Sequence, residues 1–582
     1  MGEKSKKIFG GNRLYVLAGT IFLMGVIIIA RLYILQINDY DKFRGMAEDQ
    51  HKGFSELAAK RGEIYLKSGE DEYPLAVNRE YMMVYLEPKL IADEDKDKVI
   101  SELSYILGMD REEIHAKASK PEDMFEIVKK KISDDEANKV QELGIKGVKI
   151  MPETYRYYPG GELASHVVGF VGSDGEEEKG RYGLEFRWED ELKGKSGSLY
   201  QERDSAGRWI SISDREMTPA QDGMDLLLTI DETVQYEIEK ILKATMEKHQ
   251  ADSGSILVQE PSTGKILAMA NYPSFNPNEF NKVEDMSAFI NSSIFGNYES
   301  GSVFKTITLA SGIDSGVISP ETTYVDTGVV HEAGYDIQNS DGKAYGQQTM
   351  TQVLERSLNT GVIFTEKLIG NARFLSYIKN FGFGEKSEID LPGESAGNIS
   401  NLKNTKSDIQ FFTASYGQGL TVTPLQILNA YSAIANGGNL MKPQIIEKEI
   451  YSDGHEEEIK PEVIRRVIKE ETAEQMKNML ESVVVNGHGK RAAVEGYRVG
   501  GKTGTAQVAK KDGAGYEDGL TIGSFAGIAP LDNPRFTVIV KIDNPKDVEW
   551  AESSAAPAFG EVMKFLLNYY NVEPDNIDNK KD

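Results

Sequence analysis

Ser302, Lys305, Ser357, Asn359 and Lys502 are the residues whose types and spacing could do chemistry together. They stand in three short motifs in one order: Ser302-Val303-Phe304-Lys305, Ser357-Leu358-Asn359 and Lys502-Thr503-Gly504. A serine with a lysine one helical turn later, a Ser-x-Asn and a Lys-Thr-Gly are the parts of a serine site for acyl transfer. A free hydroxyl is a poor nucleophile and needs a base within hydrogen-bond reach. Residues three apart share a helix face, so Lys305 can aim its amine at Ser302. An amine serves as base only when its pKa falls, which burial and a nearby cation both promote; Lys502 is the candidate for that cation. Ser357 would relay a proton to the leaving group, and Asn359 would orient Lys305 and bind a substrate amide. Relay of this kind typically contributes about 10²–10⁴-fold in rate. Lys502 to Thr505 reads as an edge strand beside a cleft, with Gly504 leaving room for a substrate backbone to pair with it. The N–H groups of Ser302 and Thr505 would form an oxyanion hole, each donor worth about 10²–10³ in turnover. Lys502, Thr503 and Thr505 offer a charge and hydroxyls to a substrate carboxylate.

Each motif alone is weak. Ser-x-x-Lys recurs at Ser262, Ser340, Ser376 and Ser400, where polar turns or an amphipathic helix give an ordinary explanation. Only Ser302 opens an apolar stretch, Val303 to Ala310, after the polar turn Asn297 to Gly301. That places it at a helix start, where free N–H groups favour developing negative charge. Lys-Thr-Gly occurs once, inside Gly500 to Ala506. The seven histidines are scattered without metal spacing and read as surface or packing residues. With no cysteine, thiol catalysis, thiolate metal sites and disulfides are excluded. No phosphate-binding Gly-rich loop is present, and nothing calls for a metal or cofactor.

The elements that must position these residues begin with a membrane anchor. Leu14 to Ala30 is uncharged and mostly apolar, and after Arg31 the apolar run resumes from Leu32 to Ile37. This is about the length that crosses a bilayer, with Arg31 able to snorkel to the interface. Lys4, Lys6, Lys7 and Arg13 precede it, which places residues 1–13 in the cytoplasm and everything after about Asn38 outside. A cleaved signal peptide and a buried core helix are the competing readings, but no Ala-x-Ala site follows closely and the basic N-terminus argues against a core helix.

At 582 residues the chain predicts two or three domains. The net charge of -26 argues against nucleic-acid binding. Residues 38–230 mix short strands, such as Leu75-Ala76-Val77-Asn78 and Tyr81 to Tyr85, with acidic helices at Asp110 to Lys117 and Asp134 to Leu143. From 231 to 570 the signals are a helix from Asp231 to His249 capped by Asp231, and a hairpin through Pro261-Ser262-Thr263-Gly264. A strand from Phe536 to Ile542 and a closing helix from Phe559 to Tyr570 complete the set. The expected fold is mixed α/β (α+β): a mainly antiparallel sheet flanked by helices, after an elongated N-terminal region. Residues 571–582 read as a frayed tail.

These residues resemble the class B penicillin-binding proteins, the monofunctional peptidoglycan transpeptidases. The likeness extends beyond the catalytic motifs. Lys60-Arg61-Gly62-Glu63-Ile64-Tyr65, Arg156-Tyr157-Tyr158-Pro159, Ala164 to Gly172 and Gly183-Leu184-Glu185 are similar to the family's pedestal motifs. Ala268 to Asn278, Tyr416-Gly417-Gln418-Gly419 and Thr423-Pro424 are similar to its transpeptidase domain. The resemblance implies a pedestal over 38–230 and a transpeptidase domain over 231–570. It implies that Ser302 attacks the penultimate D-alanine carbonyl of a stem peptide, that an amine of a neighbouring strand resolves the ester, and that β-lactams acylate the same serine. Glu202 to Arg208 and Ala555 to Phe559 look more like the septal, division-type branch than the elongation branch. That implies a bacterial cytoplasmic-membrane protein working on lipid-linked glycan strands with a SEDS-type glycosyltransferase and divisome proteins. Three positions depart from the family pattern: Ser300 stands for the usual proline, Leu358 for a serine or cysteine, and Leu66-Lys67-Ser68-Gly69 for Asp-Arg-Asn-Gly. None removes a catalytic group. A β-lactamase or D,D-carboxypeptidase with water as acceptor, and a catalytically silent β-lactam receptor or divisome scaffold, remain as rival readings.

Overall fold

The computed structural model describes residues 9–33, 52–120, 123–174, 177–202, 216–332, 334–404, 406, 408–510 and 515–575. The chain divides into two units, residues 1–60 with 194–222, and residues 61–193 with 223–582.

The first unit holds a 25-residue helix, Phe9–Tyr33, and a three-stranded antiparallel sheet. Gly197–Glu202 is the central strand of that sheet, between Lys52–Leu57 and Glu216–Thr218. The helix carries the apolar run read from the sequence, with Ile21, Phe22, Leu23, Ile28 and Ile29 exposed. Its side chains are described only in part, from Ala18 onward, and among the described residues no helix is long and apolar enough to cross a membrane. The second apolar piece at 34–37, the 203–208 stretch that suggested the septal branch and the tail from 576 lie outside the described residues.

In the second unit a five-stranded sheet runs in the order Ile266–Tyr272, Ser253–Gln259, Phe536–Asp543, Tyr516–Ala529, Gly500–Ala509, every pair antiparallel. Successive side chains on a strand point to opposite faces. Ile256, Val258, Val538, Val540 and Ile542 therefore enter one core, and Leu257 and Ile539 enter the other. The first core is closed by the helices Glu232–His249, through Val234, Ile238 and Leu242, and Ala555–Tyr569, through Phe559, Val562 and Leu566. Their three- and four-residue spacing gives each helix one apolar stripe. The Asp231 carboxyl accepts from Val234 N at 3.0 Å and sets where the first of them begins. Behind the opposite face lies an all-helical layer that includes Lys305–Asp314, Asn359–Ile369, Pro424–Ala435 and Glu470–Val485.

A second sheet is built mostly from the N-terminal region. The two short strands expected around Ala76 and Met83 are one 16-residue strand, Asp71–Leu86. The polar pair Arg79-Glu80 does not break it, because Val148–Tyr157 pairs along the strand through both residues. The strand Asp225–Asp231 lies parallel to Ile64–Ser68 and antiparallel to Ile446–Ile450, so chain from both sides of residue 231 shares this sheet.

Three motifs far apart in sequence meet here at one carboxylate. Glu185, with no exposed side-chain surface, accepts from Arg61 Nε at 2.8 Å, Arg156 Nε at 2.6 Å and Tyr158 Oη at 3.2 Å. Burial opposes its charge, but the Arg156 and Arg61 guanidiniums outweigh that and hold the carboxyl below its ordinary range. Removing one partner of a buried pair leaves the other uncompensated, at a cost of about 3–5 kcal/mol. Glu185→Ala is therefore expected to lower stability by about that much in a denaturant titration, and Glu185→Asp by less.

Candidate active site

The nucleophile motif forms a single 3₁₀ turn, Gly301–Phe304, that runs directly into the helix Lys305–Asp314. Gly301 has φ +56°, and its N–H donates to the Gly417 carbonyl at 3.1 Å. A Cβ on Gly417 would lie 2.2 Å from the Gly301 oxygen, so only glycine lets these two turns touch. Glu299 fastens the same corner, accepting from Gly419 N at 2.9 Å and from Tyr516 Oη at 3.0 Å; burial raises its pKa. Ser300 sits at φ -75°, inside the range proline fixes, so the turn keeps its shape without the ring. Its buried hydroxyl has no hydrogen-bond partner among the described residues.

Lys305 is fully buried. Its amine donates to the Ser357 carbonyl at 2.5 Å and to Ser357 Oγ at 3.1 Å; these bonds go to the second motif rather than to Ser302. Ser357 presents both oxygens to the amine because its backbone is left-handed, at φ +58°, between the helices Met350–Glu355 and Asn359–Ile369. A non-glycine residue held there costs on the order of 1–3 kcal/mol, and such strain clusters at functional sites. Asn359 Nδ2 donates to the Gln338 carbonyl at 2.7 Å rather than meeting Lys305. Leu358 is buried in the core, which accounts for an apolar residue at the middle of the motif.

Lys502 is also fully buried, and its amine donates to Thr503 O at 3.0 Å and Thr503 Oγ1 at 3.3 Å. Burial pushes its pKa down to about 7, with the Glu552 carboxylate pulling the other way. Burial likewise drives Lys305 well below the usual lysine range, and the charge on Lys502 drives it further. Lowering Lys502 from 10.5 to about 7 costs roughly 4 kcal/mol of folding stability at neutral pH, since the unfolded chain keeps the proton. Buried lysines with lowered pKa behind one cleft are the pattern active sites show.

Ser302, Ser357, Asn359, Thr503 and Thr505 line one cavity of about 1010 Å3, with Lys305 and Lys502 buried behind its wall. The Lys-Thr-Gly strand is an edge of the five-stranded sheet. Gly504 has a close neighbour within the chain as well. A Cβ there would lie 2.7 Å from Ser300 O, 2.8 Å from Ser524 Oγ and 3.0 Å from Val303 Cγ1, so the glycine admits the nucleophile turn. Thr505 Oγ1 accepts from Ala551 N at 3.1 Å, which ties the strand to the 545–552 loop on the cavity rim. Tyr345, Trp550, His488 and Glu552 also stand in this wall, with no signal in the sequence for any of them. His488, read as a surface or packing residue, is exposed and pairs with Glu552 at 3.3 Å. No spacing rule flags these residues, because they arrive on loops from three separate parts of the chain, around Tyr345, His488 and 550–552.

The comparisons with known proteins agree with this geometry. Residues 254–564 match the penicillin-binding protein transpeptidase domain, and residues 56–228 match the penicillin-binding protein dimerisation domain. The chain is 34% identical to stage V sporulation protein D of Bacillus subtilis, over 95% of this chain and 86% of that protein. It is 30% identical to peptidoglycan D,D-transpeptidase FtsI of Escherichia coli K12, over 97% of this chain and 93% of that protein. The crystal structure of penicillin-binding protein 3 of Mycobacterium tuberculosis complexed with aztreonam superposes with a TM-score of 0.69 at 27% identity, covering 90% of this chain and 98% of that one. With its paired lysines behind a serine-lined cleft and both family domains in order, the chain belongs to the class B penicillin-binding proteins, the β-lactam-binding serine transpeptidases that cross-link peptidoglycan.

Proposed function

We propose that Ser302 is the nucleophile of this transpeptidase and that the buried lysine pair activates it. The neutral Lys305 amine takes the Ser302 proton as Oγ attacks the penultimate D-alanine carbonyl of a stem peptide. The N–H groups of Ser302 and Thr505 hold the oxyanion. Ser357, bonded to Lys305, passes the proton to the departing D-alanine nitrogen as the C–N bond breaks. The amine of a second strand then attacks the ester, its proton returns to Ser302, and an amide cross-link remains. Lys502, Thr503 and Thr505 hold the substrate carboxylate, and Asn359 the substrate amide. A β-lactam follows the same first half, but its leaving nitrogen stays tethered and the ester persists.

Residues 38–230 are read as the pedestal and 231–570 as the transpeptidase domain. Residues 14–37 are read as a single-pass anchor in the bacterial cytoplasmic membrane with the N-terminus inside; the exposed Ile21, Phe22, Leu23, Ile28 and Ile29 support it, since they need a nonaqueous cover. The pathway is read as septal wall synthesis, with divisome proteins, a SEDS-type glycosyltransferase and lipid-linked glycan strands as partners; the relative named peptidoglycan D,D-transpeptidase FtsI supports the cross-linking part of that reading.

The observation that carries the catalytic reading is the Lys305 amine, buried and poised on Ser357 behind the Ser302 cavity. Its test is intact mass of the full chain after incubation with benzylpenicillin, followed by peptide mapping. The expected result is a gain of one whole penicillin on the peptide containing Ser302, lost slowly. Rapid turnover without a lasting adduct would support a β-lactamase, and no adduct at all a silent scaffold.

A further inference from the structure

The helix Asn359–Ile369 begins at a catalytic motif but lacks its own cap. Its N-cap residue is Leu358, whose side chain accepts no hydrogen bond and is buried in the core. Capping comes instead from a separate part of the chain. Asn339 Oδ1 accepts from Thr360 N at 3.3 Å, and the Asp326 carboxylate accepts from Thr360 Oγ1 at 2.7 Å. Negative charge at a helix start is favoured by the dipole.

Asp326 is 2% exposed and has more to hold than this helix. Oδ1 also accepts from Gly328 N at 3.0 Å and Asn339 Nδ2 at 3.1 Å, and Oδ2 accepts from Asn339 Nδ2 at 3.1 Å and Tyr345 N at 2.9 Å. Asn339 Nδ2 in turn reaches the Lys343 carbonyl at 3.1 Å and closes the Ser340-Asp341-Gly342 turn. That turn, with Lys343 and Tyr345, is one wall of the Ser302 cavity. The residue before Asn339 is Gln338, whose carbonyl receives the Asn359 side chain. One buried carboxylate thus gathers the start of the catalytic helix, the anchor of Asn359 and a wall of the cleft.

We propose that Asp326, through Asn339 and Thr360, is the positioning residue that fixes the Ser357-Leu358-Asn359 turn against Lys305, an inference that rests on the acyl-transfer reading of the cleft. Asp326 touches no reacting atom. Its work is to hold Ser357 in its left-handed turn, where both oxygens face the Lys305 amine. Every group around the carboxylate is a donor, so an amide in its place sets N–H against N–H whichever way it is flipped. A displacement of about 1 Å in such a site can cost roughly 10²-fold in rate.

The test is pre-steady-state acylation of the full chain by benzylpenicillin, resolving the dissociation constant of the initial complex from the acylation rate constant. The variants are Thr360→Val, Thr360→Ser, Asp326→Asn and the double variant Asp326→Asn/Thr360→Val, each with its thermal midpoint. Thr360→Val removes only the hydroxyl and keeps the volume, so it decides the question should Asp326→Asn not fold. Thr360→Val is expected to slow acylation about 10–100-fold while the dissociation constant changes less than about threefold, and Thr360→Ser to restore the rate. The double variant is expected to be no slower than the slower single, because both break one unit. Wild-type acylation rates in a folded Thr360→Val or Asp326→Asn chain, fully additive losses, or a loss confined to the dissociation constant would each overturn the proposal. Failure of the wild-type chain itself to be acylated would instead overturn the acyl-transfer reading, and the proposal with it.

Discussion

Ser302→Ala is expected to abolish the penicillin adduct and the cross-linking activity while leaving the fold intact. Ser302 lies in the cavity wall and is only partly buried, so removing its oxygen opens no core void. The turn beneath it is held by Gly301, Glu299 and Gly417, none of which uses the serine hydroxyl. The Ser300 hydroxyl next to it is buried away from the cavity. Loss of the nucleophile in a serine acyl-transfer site typically costs on the order of 10⁶-fold. Intact mass of the variant with benzylpenicillin should show only the unmodified chain, with a thermal midpoint within a few degrees of wild type. An adduct on Ser302→Ala would move the nucleophile elsewhere and unseat the assignment.

Lys305→Met carries the second-largest expected effect. Methionine keeps the volume and apolar stem of a buried lysine, so packing beside Ser357 is retained while the base is lost. Acylation should slow by about 10²–10⁴-fold, the usual worth of a positioned general base. The pH profile gives a sharper reading. Burial and then Lys502 push the Lys305 pKa well down, so the amine becomes neutral, and able to take a proton, as pH rises through a value far below 10.5. Wild-type acylation should therefore rise with pH on the acid side. Lys502, down at about 7, holds its charge for the substrate carboxylate below that pH, and the rate should fall as it is lost. The result is a bell whose two limbs belong to the coupled pair and not to either amine alone. Lys305→Met should remove the rising limb and leave the falling one. A Lys305→Met chain with an unchanged acid limb would show that another group is the base.

The lysine pair also shows how far the sequence could be read. Spacing alone placed Ser302, Lys305, Ser357, Asn359 and Lys502 as one set, because catalytic residues are fixed by their chemistry and the turns and helix starts around them are local. The hairpin through Pro261–Gly264 and the helix behind Asp231 were legible for the same reason: both are encoded by short-range turn and cap chemistry. What Lys305 bonds to was not legible. Helical spacing pointed its amine at Ser302, yet the left-handed Ser357, 52 residues away, offers two oxygens and receives it. That Gly504 makes room for Ser300 and Val303 was not legible either.

By itself the sequence determined the chemical inventory, the order of the motifs and the family they resemble. Each of these follows from residue type and spacing along the chain. Tertiary structure alone decided the rest: that Glu185 joins Arg61 to Arg156, that Asp326 and Asn339 cap a helix whose own cap residue is leucine, and that His488 and Glu552 stand in the cleft wall. Such contacts join residues tens to more than a hundred positions apart. Nothing at either end encodes its partner. It is the packing of helices on a twisted sheet that brings them within a hydrogen bond of each other.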